Sequence, residues 1–229
     1  TISSGHTITL VSNFVVNTGK TLTVNGGIDL AGYVVSGDGS FVLSTTGTPS
    51  TTSAANYATI TLGNNSSLAT AITTTSKNFG AAANYVYNGT AVQYLTSLPT
   101  PITGNLTISN SSSAGVYLIQ HTAINTPGTV TVAEGTKLWF GDGQVTDAAV
   151  PGRGTFNLTG TGKFTAGNGS SFVVTGSKGL SFGSGNMAMS GTRTWGSDIN
   201  FLFYKIDGFT VMQMGDLFAT NALNTQNST

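Results

Sequence analysis

Residues 128–138 read Gly-Thr-Val-Thr-Val-Ala-Glu-Gly-Thr-Lys-Leu, and this stretch contains the two signals that decide the fold. Val130 and Val132 alternate with threonines, which is the two-residue period of a strand with one buried face. Gly135 then stands midway between Val132 and Leu138, and this spacing predicts a corner at which glycine adopts the left-handed conformation. The stretch therefore predicts a short strand, a corner and the start of a second strand.

Both signals recur along the chain. Predicted strands, most of which alternate apolar residues with Thr or Ser, lie at Thr7–Leu10, Thr21–Val24, Ser40–Leu43, Ala58–Leu62, Asn105–Ile108, Thr129–Val132, Thr155–Leu158 and Ser171–Val174. Corners with the same spacing centre on Gly5, Gly19 and Gly169, and Asn65 replaces the glycine in one further corner. Repeated corners are what a β-solenoid requires, because each turn buries its apolar side chains against the turns above and below.

The sequence therefore predicts an all-β fold, a parallel β-helix or β-solenoid of short stacked strands. Tandem β-sandwich modules of about 110 residues are the alternative that the pattern also permits. Strand direction distinguishes the two, because sandwiches are built from antiparallel strands and a solenoid stacks parallel ones.

The composition of the 229 residues supports strands and excludes several classes of function. Charged residues make up 7% of the chain, against about 25% in an ordinary soluble domain. Lys+Arg 8 balances Asp+Glu 8, so no basic surplus is present to bind nucleic acid. With Cys 0, disulfides, thiolate metal sites and cysteine nucleophiles are excluded. No apolar run approaches the length of a membrane-spanning helix.

The sequence also contains a repeat that is longer than the spacing between corners. Similar segments follow one another in the same order in both halves, namely Gly37–Gly39 and Gly141–Gly143, Gly63–Leu68 and Gly167–Phe172, and Asn84–Tyr87 and Asn200–Phe203. We interpret residues 1–116 as the first copy of a module and residues 117–229 as a second copy, truncated at its C-terminal end. This truncation predicts that the chain is a fragment of a longer tandem array.

One segment of the first copy resembles a known family. Tyr85–Gln93, then Leu98-Pro99, then Asn105–Asn110 look like a segment of very large secreted repeat proteins of Bacteroidetes-type bacteria, in which an aromatic-Gly-x-x-x-Gln stretch precedes Leu-Pro and an Asn-Leu-Thr-Ile strand. The second copy departs from this pattern, since residues 205–207 are inserted before its glycine and no Leu-Pro follows Gln213. Such proteins are adhesin-like and extracellular or on the cell surface, and many are exported by the type IX system.

The resemblance implies a non-catalytic structural or adhesive segment, with the ability to form filaments. Its expected partners are neighbouring copies of itself or adjacent modules, and surface glycans. A carbohydrate-binding module is the alternative, in which exposed aromatic rings contact sugars. Tyr85, Tyr87, Trp139 and Trp195 are the candidate glycan-contact residues, and core packing is the competing explanation for them.

Other chemistry has weaker signals. A polysaccharide-active enzyme would need paired carboxylates, for which Asp142 and Asp147 beside Arg153 form the best cluster, but a Gly-Asp-Gly turn is the favoured explanation, because Asp38 stands in a similar turn without such partners. The sequence has no Gly-x-Ser-x-Gly nucleophile elbow, so neither His6 nor His121 is predicted to belong to a catalytic triad. Thr-x-Thr pairs, as in an ice-binding solenoid, are irregularly spaced, and calcium-binding glycine–aspartate repeats are absent. The sequence therefore predicts no catalytic residue, cofactor or metal.

Overall fold

The computed structural model describes residues 1–44, 57–141, 155–175, 179–180 and 185–203, and its regular structure is almost entirely strand. In chain order the elements are β1 (Thr7–Thr9), β2 (Phe14–Val15), β3 (Thr21–Val24), β4 (Gly27–Asp29), β5 (Val35–Ser36), β6 (Ser40–Leu43), β7 (Thr59–Thr61), α1 (Leu68–Ala71), β8 (Ser76–Phe79), β9 (Asn84–Tyr87), β10 (Gln93–Leu95), β11 (Leu106–Ile108), β12 (Val116–Leu118), β13 (Thr122–Ala123), β14 (Thr129–Val132), β15 (Lys137–Trp139), β16 (Leu158–Gly160), β17 (Lys163–Ala166), β18 (Ser171–Val174), β19 (Met187–Met189), β20 (Arg193–Trp195) and β21 (Asn200–Phe203). The prediction of an all-β chain is confirmed.

The described strands form five sheets, and every pairing between them is parallel. The large sheet has the order β1-β4-β7-β9-β11-β14-β17-β20, and the five-stranded sheet has the order β10-β12-β15-β18-β21. The smaller sheets are β3-β6-β8, β13-β16-β19 and β2-β5. Tandem sandwiches require antiparallel strands, and the described strands form no antiparallel pair.

In-register pairing stacks similar side chains into columns. The inner column of the large sheet runs through Ile28, Ile60, Tyr85, Leu106, Val130 and Phe164, each at most 1% exposed. Inward residues of the five-stranded sheet belong to the same core cluster. Full burial of such a side chain stabilises the fold by about 1.5–3 kcal/mol, so the columns supply the principal stabilisation of the fold.

Four glycine corners have the predicted conformation. Gly5, Gly19, Gly135 and Gly169 all have φ between 65° and 79°. A Cβ at any of the four would meet nothing within 4 Å, so the left-handed backbone and not crowding is the reason for glycine.

The Asn65 corner differs from its prediction. The left-handed residue there is Gly63, with φ 59°, and Asn65 is not among the residues of positive φ. The Asn65 side chain instead donates hydrogen bonds to the carbonyl oxygens of Tyr33 (2.9 Å) and Leu62 (3.0 Å). The short helix α1 follows this corner, with Ser67 as its N-cap, and a helix of four residues is too short to show a helical period.

The large sheet continues across the proposed boundary at residues 116 and 117. Strand β11 pairs with β14, which lies beyond that boundary, and one core cluster includes residues from both sides. The matched segments Asn84–Tyr87 and Asn200–Phe203 form β9 of the large sheet and β21 of the five-stranded sheet. The division into two copies stays a prediction.

Candidate functional site

The outward face of the large sheet carries a column of threonines. One residue per strand contributes to this column, in the order Thr9, Asp29, Thr61, Val86, Thr107, Thr131, Thr165 and Thr194. Neighbours lie about 4.8 Å apart, since that is the spacing of paired strands. The face therefore presents a row of neutral hydroxyl and methyl groups to solvent, interrupted by Asp29 and Val86.

Three Thr-x-Thr pairs, Thr7/Thr9, Thr59/Thr61 and Thr129/Thr131, lie on this face. They are on β1, β7 and β14, whereas the pair Thr21 and Thr23 is on β3 of another sheet. Strands without a pair separate them, so the double row of threonines is discontinuous.

Two asparagines tie successive strands together at one margin of the same face. Asn84 Oδ1 accepts a hydrogen bond of 2.9 Å from the backbone N–H of Asn105, and Asn105 Oδ1 accepts one of 3.1 Å from the N–H of Thr129. Asn84 Nδ2 also donates to Thr59 Oγ1 at 3.2 Å. These side chains fix the register of neighbouring strands, which is a structural role.

A groove of about 380 Å³ opens on the outward face over β4. It is lined by residues 4–7 and 25–28 and by Tyr57, Thr59 and Thr61. The groove exists because Gly27 places no side chain between Thr7 and Thr59, its partners on the two adjacent strands. His6 is exposed at the groove, while Tyr57 is 5% exposed and its hydroxyl has no hydrogen-bond partner.

An aromatic column lies on the outward side of the five-stranded sheet. Tyr94, Tyr117 and Trp139 are in register on β10, β12 and β15, and each is half-buried. The ring centroids of Tyr117 and Trp139 are 4.8 Å apart with an interplanar angle of 9°, and those of Tyr94 and Tyr117 are 5.8 Å apart. Trp139 Nε1 donates to the carbonyl of Ala114 at 2.8 Å. The rings stabilise one another, and stacking covers part of each ring face.

The four predicted glycan-contact aromatics are not brought together. Tyr85 and Tyr87 are fully buried in the core, where no sugar reaches them, in agreement with the core-packing explanation. Trp139 belongs to the aromatic column. Trp195 is half-buried on β20, with its ring centroid 5.2 Å from that of Phe164.

Burial also sets the protonation of the two core tyrosines. Desolvation raises the pKa of Tyr87 well above its ordinary value of 10.0, and desolvation together with the nearby Tyr87 raises the pKa of Tyr85. The Tyr85 hydroxyl donates to the carbonyl of Gly80 at 2.7 Å, whereas the Tyr87 hydroxyl has no partner. Both phenols therefore stay neutral in the folded chain.

The other candidates have plain outcomes. Asp142, Asp147 and Arg153 lie outside the described residues. His121 is exposed, and its Nδ1 accepts a hydrogen bond of 3.2 Å from the backbone N–H of Asn157. Among the described residues, three or more His, Asp or Glu side chains nowhere come together as metal ligands would. Within the same residues, no helix has the length and apolar character to cross a membrane.

Sequence reasoning missed the groove over β4 and the aromatic column as a unit. Both are assembled from segments far apart in the chain, so only the register between strands reveals them. No family model, curated protein or solved structure matches this chain.

Proposed function

We propose that this chain is a non-catalytic structural and adhesive segment of a secreted or cell-surface bacterial repeat protein, and that its strands wind as a parallel β-solenoid. One observation carries the proposal: the strands of the large sheet follow one another in chain order from β1 to β20. Between consecutive members, the chain leaves the large sheet and contributes strands to the others. Winding of this kind stacks each turn on its neighbours and yields a rod.

The surface of such a rod is suited to adhesion more than to catalysis. Its backbone hydrogen bonds run along the stacking direction, and its outward threonine column is neutral except at Asp29. Exposed charged pairs weaken as salt rises, so a neutral hydroxyl face keeps its interactions over a wide range of ionic strength. The extracellular location follows from the resemblance to secreted adhesin-like repeat proteins, and neighbouring copies, adjacent modules and surface glycans are the proposed partners.

Carbohydrate binding through exposed aromatics is the second candidate function. The half-exposed column of Tyr94, Tyr117 and Trp139 favours it, because tyrosine and tryptophan present apolar rings with a polar handle at the surface. Substitution of Trp139 by Ala is expected to abolish retention on a glycan column in this case. If Trp139→Ala left retention unchanged, the aromatic column would have only its structural role of ring stacking.

Cysteine cross-linking tests the solenoid directly, because the natural chain has no cysteine. Thr107 and Thr131 are register partners on adjacent strands, at a separation of about 4.8 Å that a disulfide can bridge. The double variant Thr107→Cys/Thr131→Cys is expected to form an intramolecular disulfide on mild oxidation. The matched control Thr107→Cys/Thr165→Cys places the thiols two strands apart, about 9.6 Å, and should not cross-link. Equal cross-linking in both variants would refute the stacking.

Surface location and adhesion need a test on cells. Immunogold labelling of intact source cells should decorate the outer surface, and deletion of the segment should reduce attachment to glycan-coated surfaces. Labelling that appears only after permeabilisation would contradict the extracellular proposal.

A further inference from the structure

We propose that two copies of this chain join end to end, with β1 and β2 of one copy stacked on β20 and β21 of the other. β1 and β20 are the two edge strands of the large sheet, and β2 and β21 are edge strands of their own sheets. We call the β1–β2 edge the head and the β20–β21 edge the tail. This inference deepens the structural role proposed above and rests on it, since it names the surfaces through which neighbouring copies meet.

The head leaves core positions uncovered. Ile8 begins the inner column of the large sheet and is 41% exposed, whereas its register partner Ile28 is 1% exposed. Phe14 on β2 is 43% exposed, whereas its partner Val35 is fully buried. Ile28 and Val35 have paired residues on both sides, and Ile8 and Phe14 have one on a single side among the described residues. An apolar strand on the open side would bury both.

The tail is uncovered in the same way. Trp195 and Phe201 are half-buried, whereas their register partners Ala166 and Phe172 are at most 3% exposed. The tail therefore also presents inward side chains that a further turn would cover.

Arg193 occupies the inner column at the tail, in register with buried Phe164. Its guanidinium donates hydrogen bonds to the carbonyl oxygens of Leu180 (3.3 Å) and Met189 (2.9 Å). The charged end is held by these carbonyls, so the aliphatic stem is the part that continues the apolar column, as long basic side chains often do.

The inward positions of the head and the tail match one to one. The corner has the same length at both ends, since four residues separate β1 from β2 and four separate β20 from β21. The matched positions, all 185 residues apart, are Ile8 and Arg193, Leu10 and Trp195, Phe14 and Ile199, and Val16 and Phe201. Both strands of the head can therefore pair with both strands of the tail in a single register.

The backbone groups at the open side of β1 belong to its two threonines. In a parallel ladder, alternate residues direct their N–H and C=O groups to opposite sides of the strand. The N–H of Leu10 donates to the carbonyl of Asp29 at 2.8 Å, so Leu10 and Ile8 face β4. The N–H and C=O groups of Thr7 and Thr9 therefore face the open side.

The open side of β20 has the opposite set. The N–H of Gly196 donates to the carbonyl of Ala166 at 2.8 Å, so Gly196 and Thr194 face β17. The N–H and C=O groups of Arg193 and Trp195 therefore point away from β17, toward the open side.

The two sets form one parallel ladder. With Ile8 opposite Arg193, the N–H of Arg193 donates to the carbonyl of Thr7, and the N–H of Thr9 donates to the carbonyl of Arg193. Within the chain, the N–H of Phe164, which lies opposite Arg193, donates to the carbonyl of Thr192 at 2.9 Å. The junction between copies thus repeats the pairing of β17 with β20.

Charge favours this arrangement over contact between two heads. Lys20 lies in the first turn, and residues 1–28 contain no Asp or Glu. Two facing heads would bring like charges together, whereas the tail has Asp198 besides Arg193. A head-to-tail contact leaves one free head and one free tail, so further copies can add and build a filament.

Single-cysteine variants test the junction on the full chain, which has no natural cysteine. In the proposed register, Thr9 of one copy lies opposite Thr194 of the other at about 4.8 Å, a separation that a disulfide can bridge. An equimolar mixture of Thr9→Cys and tagged Thr194→Cys is expected to form a disulfide-linked heterodimer on mild oxidation. The matched control replaces Thr194→Cys with Thr165→Cys, one strand further from the junction, where the thiols are about 9.6 Å apart and should not cross-link.

Sedimentation velocity measures the association without a cross-link. The average mass of the parent chain is expected to rise with protein concentration. Thr9→Pro should weaken association at least about tenfold, because proline lacks the N–H that pairs across the junction. This N–H faces away from β4, so the pairing within the chain stays intact. Thr9→Val is the matched control, since it keeps the N–H and should associate as the parent does.

Three results would overturn the junction. The first is a parent chain that stays monomeric at every concentration. The second is equal cross-linking of Thr9→Cys with Thr194→Cys and with Thr165→Cys. The third is a preference of Thr9→Cys for homodimers, which would indicate contact between heads. If Thr9→Pro loses its strand signal in circular dichroism, the cross-linking decides alone. The Thr107/Thr131 disulfide forms within one chain, so a failed junction is distinguishable from a failed rod.

Discussion

Substitution of Gln93 should show how much the buried side-chain hydrogen bonds contribute to the stability of the fold. Its side chain is 1% exposed and makes four hydrogen bonds. Nε2 donates to the carbonyls of Gly63 (3.0 Å) and Asn65 (2.8 Å), and Oε1 accepts from the N–H of Gly89 (2.9 Å) and from Asn110 Nδ2 (2.8 Å). The four partners come from three passes of the chain, so this one amide links three neighbouring segments.

The magnitude follows from that hydrogen-bond count. Four bonds at a net value of about 1 kcal/mol each amount to about 4 kcal/mol. Release of the glutamine side chain on truncation returns about 1.5–2 kcal/mol of conformational entropy. Gln93→Ala is therefore expected to lower the free energy of unfolding by about 2–2.5 kcal/mol, with the Gly89 N–H losing its acceptor.

Urea unfolding monitored by circular dichroism measures this loss. Gln120→Ala is the matched control, because Gln120 is half-buried and makes one bond of 3.0 Å to the carbonyl of Leu98. The control should lose less than about 1 kcal/mol. The reasoning would be refuted if Gln93→Ala shifted the midpoint of urea unfolding no further than Gln120→Ala, with the same m value in both variants.

Three further outcomes are expected. Gly135→Ala should cost about 1 kcal/mol in urea unfolding, because φ is 66° while the added Cβ meets nothing, and Gly135→Asn should cost less, since asparagine tolerates that conformation; equal costs would contradict this. Tyr85→Phe should destabilise by about 1 kcal/mol through loss of its bond to Gly80, whereas Tyr87→Phe should be neutral or stabilising because its hydroxyl has no partner; a larger loss at Tyr87 would reverse the assignment. The pKa of each phenol is raised in the folded state, so each phenol contributes its full stability below the ordinary tyrosine pKa of 10.0 and loses it as the pH rises beyond that value. The unfolding midpoint should therefore fall at alkaline pH, and Tyr87→Phe should reduce this fall.

Local pattern was sufficient to predict many of the strands. Strands Thr21–Val24, Ser40–Leu43, Thr129–Val132 and Ser171–Val174 have the predicted bounds, because alternation and β-branched residues act within a single segment. The segment predicted at Thr155–Leu158 forms strand only from Leu158 onward. Strands Gln93–Leu95 and Val116–Leu118 were not predicted, because neither alternates apolar residues with Thr or Ser.

The candidate site could not be predicted in the same way, since it depends on which segments become neighbours. The two-residue period places Tyr85 and Tyr87 on one face, but only their pairing with Leu106 and Ile108 shows that this face is the core. Trp139 is adjacent to Tyr117 because the 21 intervening residues bring the two strands into register, and sequence alone does not specify that register. Surface chemistry of this kind emerges from stacking.

The parallel stacking of adjacent strands also has a mechanical consequence. In the solenoid proposed above, a pull along the stack would load the interstrand hydrogen bonds of one turn at a time, so turns would detach singly while the remainder holds. Asn105 and Thr129 are 24 residues apart in the chain, and at about 3.4 Å per extended residue the release of that turn lengthens the tether by about 80 Å. An anchored segment of this design would lengthen in steps under the load of fluid drag, which would limit the force on the attachment itself.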